Sequence, residues 1–238
     1  MLLHSLFDAL ALLAALALYR WGPVVAAPTP WRTHPFYVPM ASLGATLGAY
    51  LLGTVNLALT GIDGIGRSIE GALLGAILAI EGLKAATGMR GSTGVRLAAP
   101  LALAIVVGRI GCFLAGLGDE TYGTPTDLPW GYDFGDGIPR HPVQLYESLT
   151  MAVFLLVFLR LVRRDHPLAL RAGFYLFIGV YAGQRFLWEF LKPYGTIVGP
   201  FNLFHIVSIW LIAYTILFGR RELAVPCTTR ATSPPLRA

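Results

Sequence analysis

Charge is what this sequence has least of. Only 13% of its 238 residues are Asp, Glu, Lys or Arg, about half the ~25% usual in soluble domains, while 55% are hydrophobic. Such a chain cannot cover itself with a water-compatible surface. Cysteine is nearly absent too, with Cys112 and Cys227 the whole supply, so a disulfide-stapled scaffold is excluded. Neither has metal-ligand company at a useful sequence spacing, and no metal or cofactor is expected. The formal charge is +5, yet no basic patch interleaved with aromatics is present, which removes nucleic acid as a partner.

Long apolar runs fill the space that charge leaves. A helix needs about 20 apolar residues to cross ~30 Å of hydrocarbon, and seven runs approach or reach that length: Leu2 to Tyr19, Tyr37 to Leu59, Ile69 to Leu83, Leu97 to Leu117, Gln144 to Leu161, Ala172 to Leu191 and Phe201 to Gly219. The first has its basic residue, Arg20, after the apolar stretch rather than before it. That order predicts a retained helix, not a secretory leader. Glycines four apart, Gly44 with Gly48 and Gly71 with Gly75, predict close packing of the second and third helices.

The expected fold is therefore an all-α polytopic membrane protein with seven transmembrane helices. Thirteen of the 18 basic residues fall on alternate segments, at positions 20–32, 84–96, 160–171 and 220–237. The positive-inside bias then sets the amino terminus outside and the carboxyl terminus cytoplasmic. Cys112 and Cys227 come to lie on opposite sides, too far apart for a disulfide. Residues 1–224 form the membrane domain, with an external loop at 118–141 whose prolines and glycines predict turns rather than regular structure. Residues 225–238, rich in Pro, Thr and Ser, read as a disordered cytoplasmic tail.

Ionisable groups inside the runs are the informative ones, because each costs ~2.5–3.5 kcal/mol at the centre of a membrane helix. They are Asp8, Glu70, Arg109, Arg185, Glu189 and His205. Arg109 lies 12 residues beyond Leu97, and Arg185 lies 13 beyond Ala172. At 1.5 Å per residue both guanidiniums reach one level, ~18–20 Å from the cytoplasmic boundary. Glu70, Glu120, His141 and Tyr146 approach that level from other segments. Tyr181, Arg185 and Glu189, at i, i+4 and i+8, share one helical face. Glu189 can neutralise Arg185, yet two arginines with few acids nearby leave positive charge over, and a phosphate head group suits their forked donors. Cys112 reads either as a small inert packing residue or as a reactive thiol beside an arginine.

Those residues carry a resemblance that spans nearly the whole chain. Gly108-Arg109-Ile110-Gly111 followed by Phe113, Glu120-Thr121-Tyr122-Gly123, the stretch from Pro125 to Gly131, Arg140-His141-Pro142 with Gln144-Leu145-Tyr146-Glu147, and Tyr181 with Arg185 and Glu189 together resemble the prolipoprotein diacylglyceryl transferase family of bacterial inner membranes. The resemblance implies transfer of the diacylglyceryl unit of phosphatidylglycerol to the lipobox cysteine of a prolipoprotein, with membrane lipids as surroundings. It implies that Arg109 binds the lipid phosphate and Arg185 stabilises the leaving phosphate. Glu120 and Gly123 would shape the head-group pocket, and Tyr181 and Glu189 would order the site.

The candidate catalytic residues are thus Arg185, Glu70, His141 and Tyr181, with Glu70 or His141 as the base. The candidate substrate-binding residues are Arg109, Cys112, Glu120, Gly123, Tyr146 and Glu189. Two positions leave the family's pattern: Cys112, where most members have Asn, and Glu70-Gly71-Ala72, where they have His-Gly-Gly or Tyr-Gly-Gly. A divergent paralogue with another acceptor and a non-enzymatic lipid-binding protein are the competing readings.

Overall fold

The computed structural model describes residues 2–22 and 34–224. Cys227 and the 225–238 tail lie outside the described residues, as does most of the loop after the first run. Seven long helices follow one another: α1 (Leu2–Trp21), α2 (Tyr37–Leu59), α3 (Ile69–Thr87), α4 (Ala98–Ala115), α5 (Val143–Arg163), α6 (Pro167–Glu189) and α7 (Leu203–Ala224). The count and the spans agree with the seven apolar runs, because hydrogen-bonding every backbone group within one segment is the solution open to a long apolar stretch in lipid.

Local chemistry sets the ends. Ser68 caps α3 by accepting from the Gly71 amide at 3.1 Å, and Gly88, at φ 71°, closes the same helix in the left-handed region. His166 accepts from the Leu168 amide and is followed by Pro167 in the first turn of α6. Asn202 precedes α7, its side-chain oxygen accepting from the amides of Phe204 (3.0 Å) and His205 (3.1 Å).

The sequential helices that pack together, α2 with α3, α4 with α5, α5 with α6 and α6 with α7, run antiparallel. The α2–α3 pair is the tightest. A Cβ on Gly44 or Gly75 would strike the carbonyl oxygen of the other, and the same holds for Gly48 and Gly71. Phe154 meets Phe177 between α5 and α6, with ring centroids 6.0 Å apart, and Tyr175 meets Tyr214 between α6 and α7 at 5.6 Å. Gly111 of α4 abuts Phe7 of α1, while Arg96, just before α4, stacks over the Tyr19 ring at the other end of α1. The core is built on α6, whose Tyr175, Phe177, Ile178, Tyr181 and Ala182 are buried among residues of α3, α4, α5 and α7. Leucines of α1, α2 and α5 stay exposed on the outside of the bundle, where lipid is the natural solvent.

Five of the helices are long and apolar enough to cross a membrane: α1, α2, α4 with its flanking turns, α5 and α7. The two left over, α3 and α6, are those that carry Glu70, Glu81 and Lys84, and Arg171, Arg185 and Glu189. Their charge is turned inward.

The connection from α4 to α5 departs from expectation. It was expected to lack regular structure, but Tyr132–Asp133 pairs antiparallel with Pro139–Arg140 in a small hairpin. Asp133 makes this possible. Its Oδ1 accepts from the amides of Gly135 (2.8 Å), Asp136 (3.1 Å) and Gly137 (3.0 Å), folding the turn around one carboxylate. Arg140 then pairs with Asp136 at 2.7 Å, a bond that holds the exposed Asp136 carboxyl below its ordinary range.

The glycine contacts separate two substitutions on one helix. Gly71→Val puts side-chain atoms into the α2 backbone and should cost about 1–3 kcal/mol or more. Gly82→Ala, whose Cβ would meet nothing within 4 Å, should be neutral or gain about 0.5–1 kcal/mol from helix propensity. Thermal unfolding in detergent reads both. Equal melting temperatures for the two variants would contradict the packing described.

Candidate active site

One end of the bundle collects the buried charge. The carboxyl ends of α4 and α6 and the amino ends of α3, α5 and α7 bring Glu70, Arg109, Glu147, Arg185, Glu189 and Lys192 together, each 5% exposed or less. Their arrangement follows from helix phase. Arg185 and Glu189 are one turn apart on the buried face of α6, 3.0 Å from Nη2 to Oε2. Glu147 lies on the stripe of α5 that continues through Met151, Phe154 and Phe158.

Glu147 is the centre. Its Oε1 accepts from Arg185 Nη1 at 2.7 Å and from Lys192 Nζ at 2.9 Å, and its Oε2 is ion-paired with Arg109 Nε. Arg185 reaches a third carboxylate, Glu70 Oε2, at 3.4 Å, and its guanidinium lies 4.7 Å over the Phe204 ring. Around this core sit two neutral supports: Ser208 donates to Glu70 Oε1 at 2.6 Å, and the Asn202 amide donates to Glu189 Oε1 at 3.0 Å. Asn202 thereby caps α7 and holds a member of the charged cluster with the same side chain.

The expectation of surplus positive charge is corrected here. Three cations, Arg109, Arg185 and Lys192, face three carboxylates, Glu70, Glu147 and Glu189, so the cluster is formally neutral. Glu147 and Lys192 were the residues missed. Glu147 sits on an apolar stripe at spacings of 4, 3 and 4 with Met151, Phe154 and Phe158, and that pattern was the signal. Lys192 comes after the end of α6 and has no such periodicity. Burial, with Arg185 close by, pushes its ammonium down to about 8 in spite of Glu147.

Of the other expected residues, Tyr181 is buried one turn before Arg185, and its hydroxyl has no hydrogen-bond partner among the described residues. Such a group is free to serve a ligand. His141 and Tyr146 stand apart from the ion network: His141 Nδ1 is 3.4 Å from the Tyr146 hydroxyl, which accepts from Trp130 Nε1 at 2.9 Å. Glu120 is joined through its backbone carbonyl, which accepts from Tyr194 at 2.9 Å, and its own backbone is left-handed at φ 54°. Gly123 fits beneath His141, donating to its carbonyl at 3.0 Å, where a Cβ would lie 2.6 Å from that oxygen. The buried His205 lies against Phe190, with centroids 4.2 Å apart.

Cys112 has company that its sequence neighbourhood hides. His4, 108 positions earlier, puts Nε2 3.7 Å from the sulfur, and Arg109 Nη1 is 4.0 Å away on the other side. A cavity of about 300 Å³ opens elsewhere, beside Tyr37, Glu81, Lys84 and Tyr214. Glu81 is 11 residues along α3 from Glu70, roughly 16 Å, so this space is not part of the charged cluster.

A family of known proteins resembles this chain over most of its length. The profile of the prolipoprotein diacylglyceryl transferase family matches residues 4–219. The chain is 37% identical over 172 residues to a phosphatidylglycerol–prolipoprotein diacylglyceryl transferase of Geobacter sulfurreducens, covering 66% of this chain and 64% of that protein. It is 40% identical over 119 residues to one from Cupriavidus pinatubonensis, covering 48% and 41%. It is 34% identical over 158 residues to one from Polynucleobacter asymbioticus, covering 65% and 59%. The matched parts thus amount to less than two thirds of these relatives' own length. No solved structure matches.

Because Glu147 serves three cations, Glu147→Gln should be the most disruptive single change in the cluster. It leaves two guanidiniums and an ammonium facing a neutral amide, and breaking a buried ion pair in this way costs about 3–5 kcal/mol. The expected outcome is a large drop in melting temperature in detergent. A variant that unfolds with the wild type would show the cluster to be dispensable.

Proposed function

Because the chain belongs to the prolipoprotein diacylglyceryl transferase family, we propose that it moves the diacylglyceryl unit of phosphatidylglycerol to the lipobox cysteine of an exported prolipoprotein, in a bacterial inner membrane. The names of the relatives support the two substrates. The observation that carries the reading is the convergence of Arg109 and Arg185, from different helices, on one buried carboxylate. The cluster lies at the end of the bundle opposite the segments richest in Lys and Arg. The positive-inside bias therefore turns it toward the outer leaflet.

The reaction is a displacement at carbon. A C–S bond forms to the substrate thiol, a C–O bond breaks, and the electron pair leaves on the phosphate oxygen as glycerol phosphate. Two things are needed: donors for the phosphate and an acceptor for the thiol proton, since a free thiol has a pKa of ~8.5. Arg109 commits Nε to Glu147 and turns Nη1 toward Cys112, a contact of 4.0 Å too long to occupy the donor. That edge is open to a phosphate oxygen. Arg185, paired with three carboxylates, stabilises the leaving group as charge develops.

Glu70 is the base in this reading. Its ion pair with Arg185, at 3.4 Å, is longer than those Glu147 makes at 2.7 and 2.9 Å, so it is the carboxylate that gives up least by taking a proton. The charge count supports the same choice. Protonating Glu70 turns a neutral cluster into a cationic one at the moment an anionic product is released. Tyr181 offers its free hydroxyl to the lipid phosphate, Glu189 keeps Arg185 in place, and Glu120, Gly123 and Tyr146 wall the approach. His141, outside the network, is assigned to substrate approach rather than to proton transfer.

Transfer to a lipobox peptide, followed by mass spectrometry in membranes carrying phosphatidylglycerol, tests this. Arg109→Ala and Arg185→Ala should each lower the rate by about 10²-fold or more, and Glu70→Gln by about 10²–10⁴-fold. Full rates in both arginine variants would overturn the assignment.

A further inference from the structure

Beside the charged cluster, on its α1 side, lies a second group of ligating side chains that the transfer reaction does not use. His4 and Asp8 project from the first turns of α1, Cys112 from α4, and Asp119 from the 3-10 turn that follows α4 (Gly116–Asp119). His4 Nε2 is 3.7 Å from Cys112 Sγ and 3.0 Å from Asp119 Oδ1. One ligand atom from each of His4, Cys112 and Asp119 falls within 4.8 Å of the others. We propose that His4, Cys112 and Asp119 form a binding site for a divalent transition-metal ion, with zinc the ion their nitrogen, sulfur and oxygen donors suit best.

His4 and Asp119 are also held from behind. His4 Nδ1 is 3.0 Å from Asp8 Oδ2, which aims Nε2 at the site, as carboxylate–histidine pairs do at zinc. Asp119 Oδ2 accepts from Thr121 Oγ1, leaving Oδ1 to the site. Zinc–ligand bonds of ~2.0–2.3 Å in a tetrahedron put neighbouring donors ~3.3–3.8 Å apart, close to the 3.7 and 3.0 Å that His4 Nε2 keeps from the other two donors. Three protein donors leave the fourth position to water or to an anionic oxygen.

Zinc takes a cysteine as its thiolate, so binding here should release the Cys112 thiol proton.

A nucleophilic Cys112–His4–Asp8 triad is the rival reading. It fares worse, because Nε2 lies nearer Asp119 than the sulfur, and because a diacylglyceryl group on Cys112 would be a thioether, with no good leaving group for onward transfer.

The full chain, purified with any tag removed and stripped with chelator, is titrated with ZnCl₂ by calorimetry in buffers of different protonation enthalpy. The expected result is one zinc per chain with proton release, and Co²⁺ in its place should give thiolate-to-cobalt charge-transfer absorption. Cys112→Ala, His4→Ala and Asp119→Asn should each weaken zinc binding at least tenfold. Asp8→Asn, which acts through His4, should weaken it about 10–100-fold while keeping the cobalt spectrum. Equal zinc binding by wild type and Cys112→Ala, or cobalt binding without a thiolate band, would overturn the proposal. Should the variants fail to fold, alkylation of wild-type Cys112 by iodoacetamide decides. Protection by zinc supports the site, and an unchanged rate overturns it.

Discussion

Everything at the charged end of this bundle depends on the carboxylate of Glu147. Arg109, Arg185 and Lys192 approach it from α4, from α6 and from the turn beyond α6, and none of the three could stay in a low-dielectric interior alone. The carboxylate therefore fixes where three chain segments end as well as neutralising them. Glu70 and Glu189 complete the count, so charges that would each cost several kcal/mol singly are held as a balanced set. The same balance makes the cluster responsive: one proton or one anion changes its net charge.

Around this centre the rest of the bundle is support. The α6 helix carries both the aromatic core and the Arg185–Glu189 pair, so packing of Tyr175, Phe177 and Ile178 sets the depth of the charged groups. Asn202 ties Glu189 to the start of α7, and Ser208, further along α7, reaches Glu70. The paired glycines of α2 and α3 fix α3 and with it Glu70.

Much of this was legible in the sequence. The seven runs gave the helices because length and apolar content are local properties, and Arg109 and Arg185 stood out because charge in such runs is rare. The glycine pairs were legible for the same reason. What stayed hidden depends on which faces meet. Glu147 belongs to a short motif at the start of a run, and only the way its stripe faces α4 and α6 turns a supposed excess of positive charge into a neutral cluster. His4 is separated from Cys112 by chain that no spacing rule spans, while Asp119, seven residues on, reaches the sulfur's neighbourhood through the 3-10 turn after α4. The hairpin rests on Asp133 accepting from three amides within the next four residues, a local bond pattern of a turn whose composition announced only irregularity.

The Arg185–Glu189 pair has a consequence for how the protein is made. Because the two charges sit one turn apart on α6, that helix can enter the bilayer already neutralised within itself. Arg109 and Glu147, by contrast, belong to successive helices and can meet only when α4 and α5 have docked as a hairpin. Synthesis proceeds from the amino terminus, so both partners of this earlier pair are made before α6 emerges. The newcomer then exchanges part of its private neutralisation for a share in Glu147. Assembly order is thus written into the spacing of opposite charges along the chain.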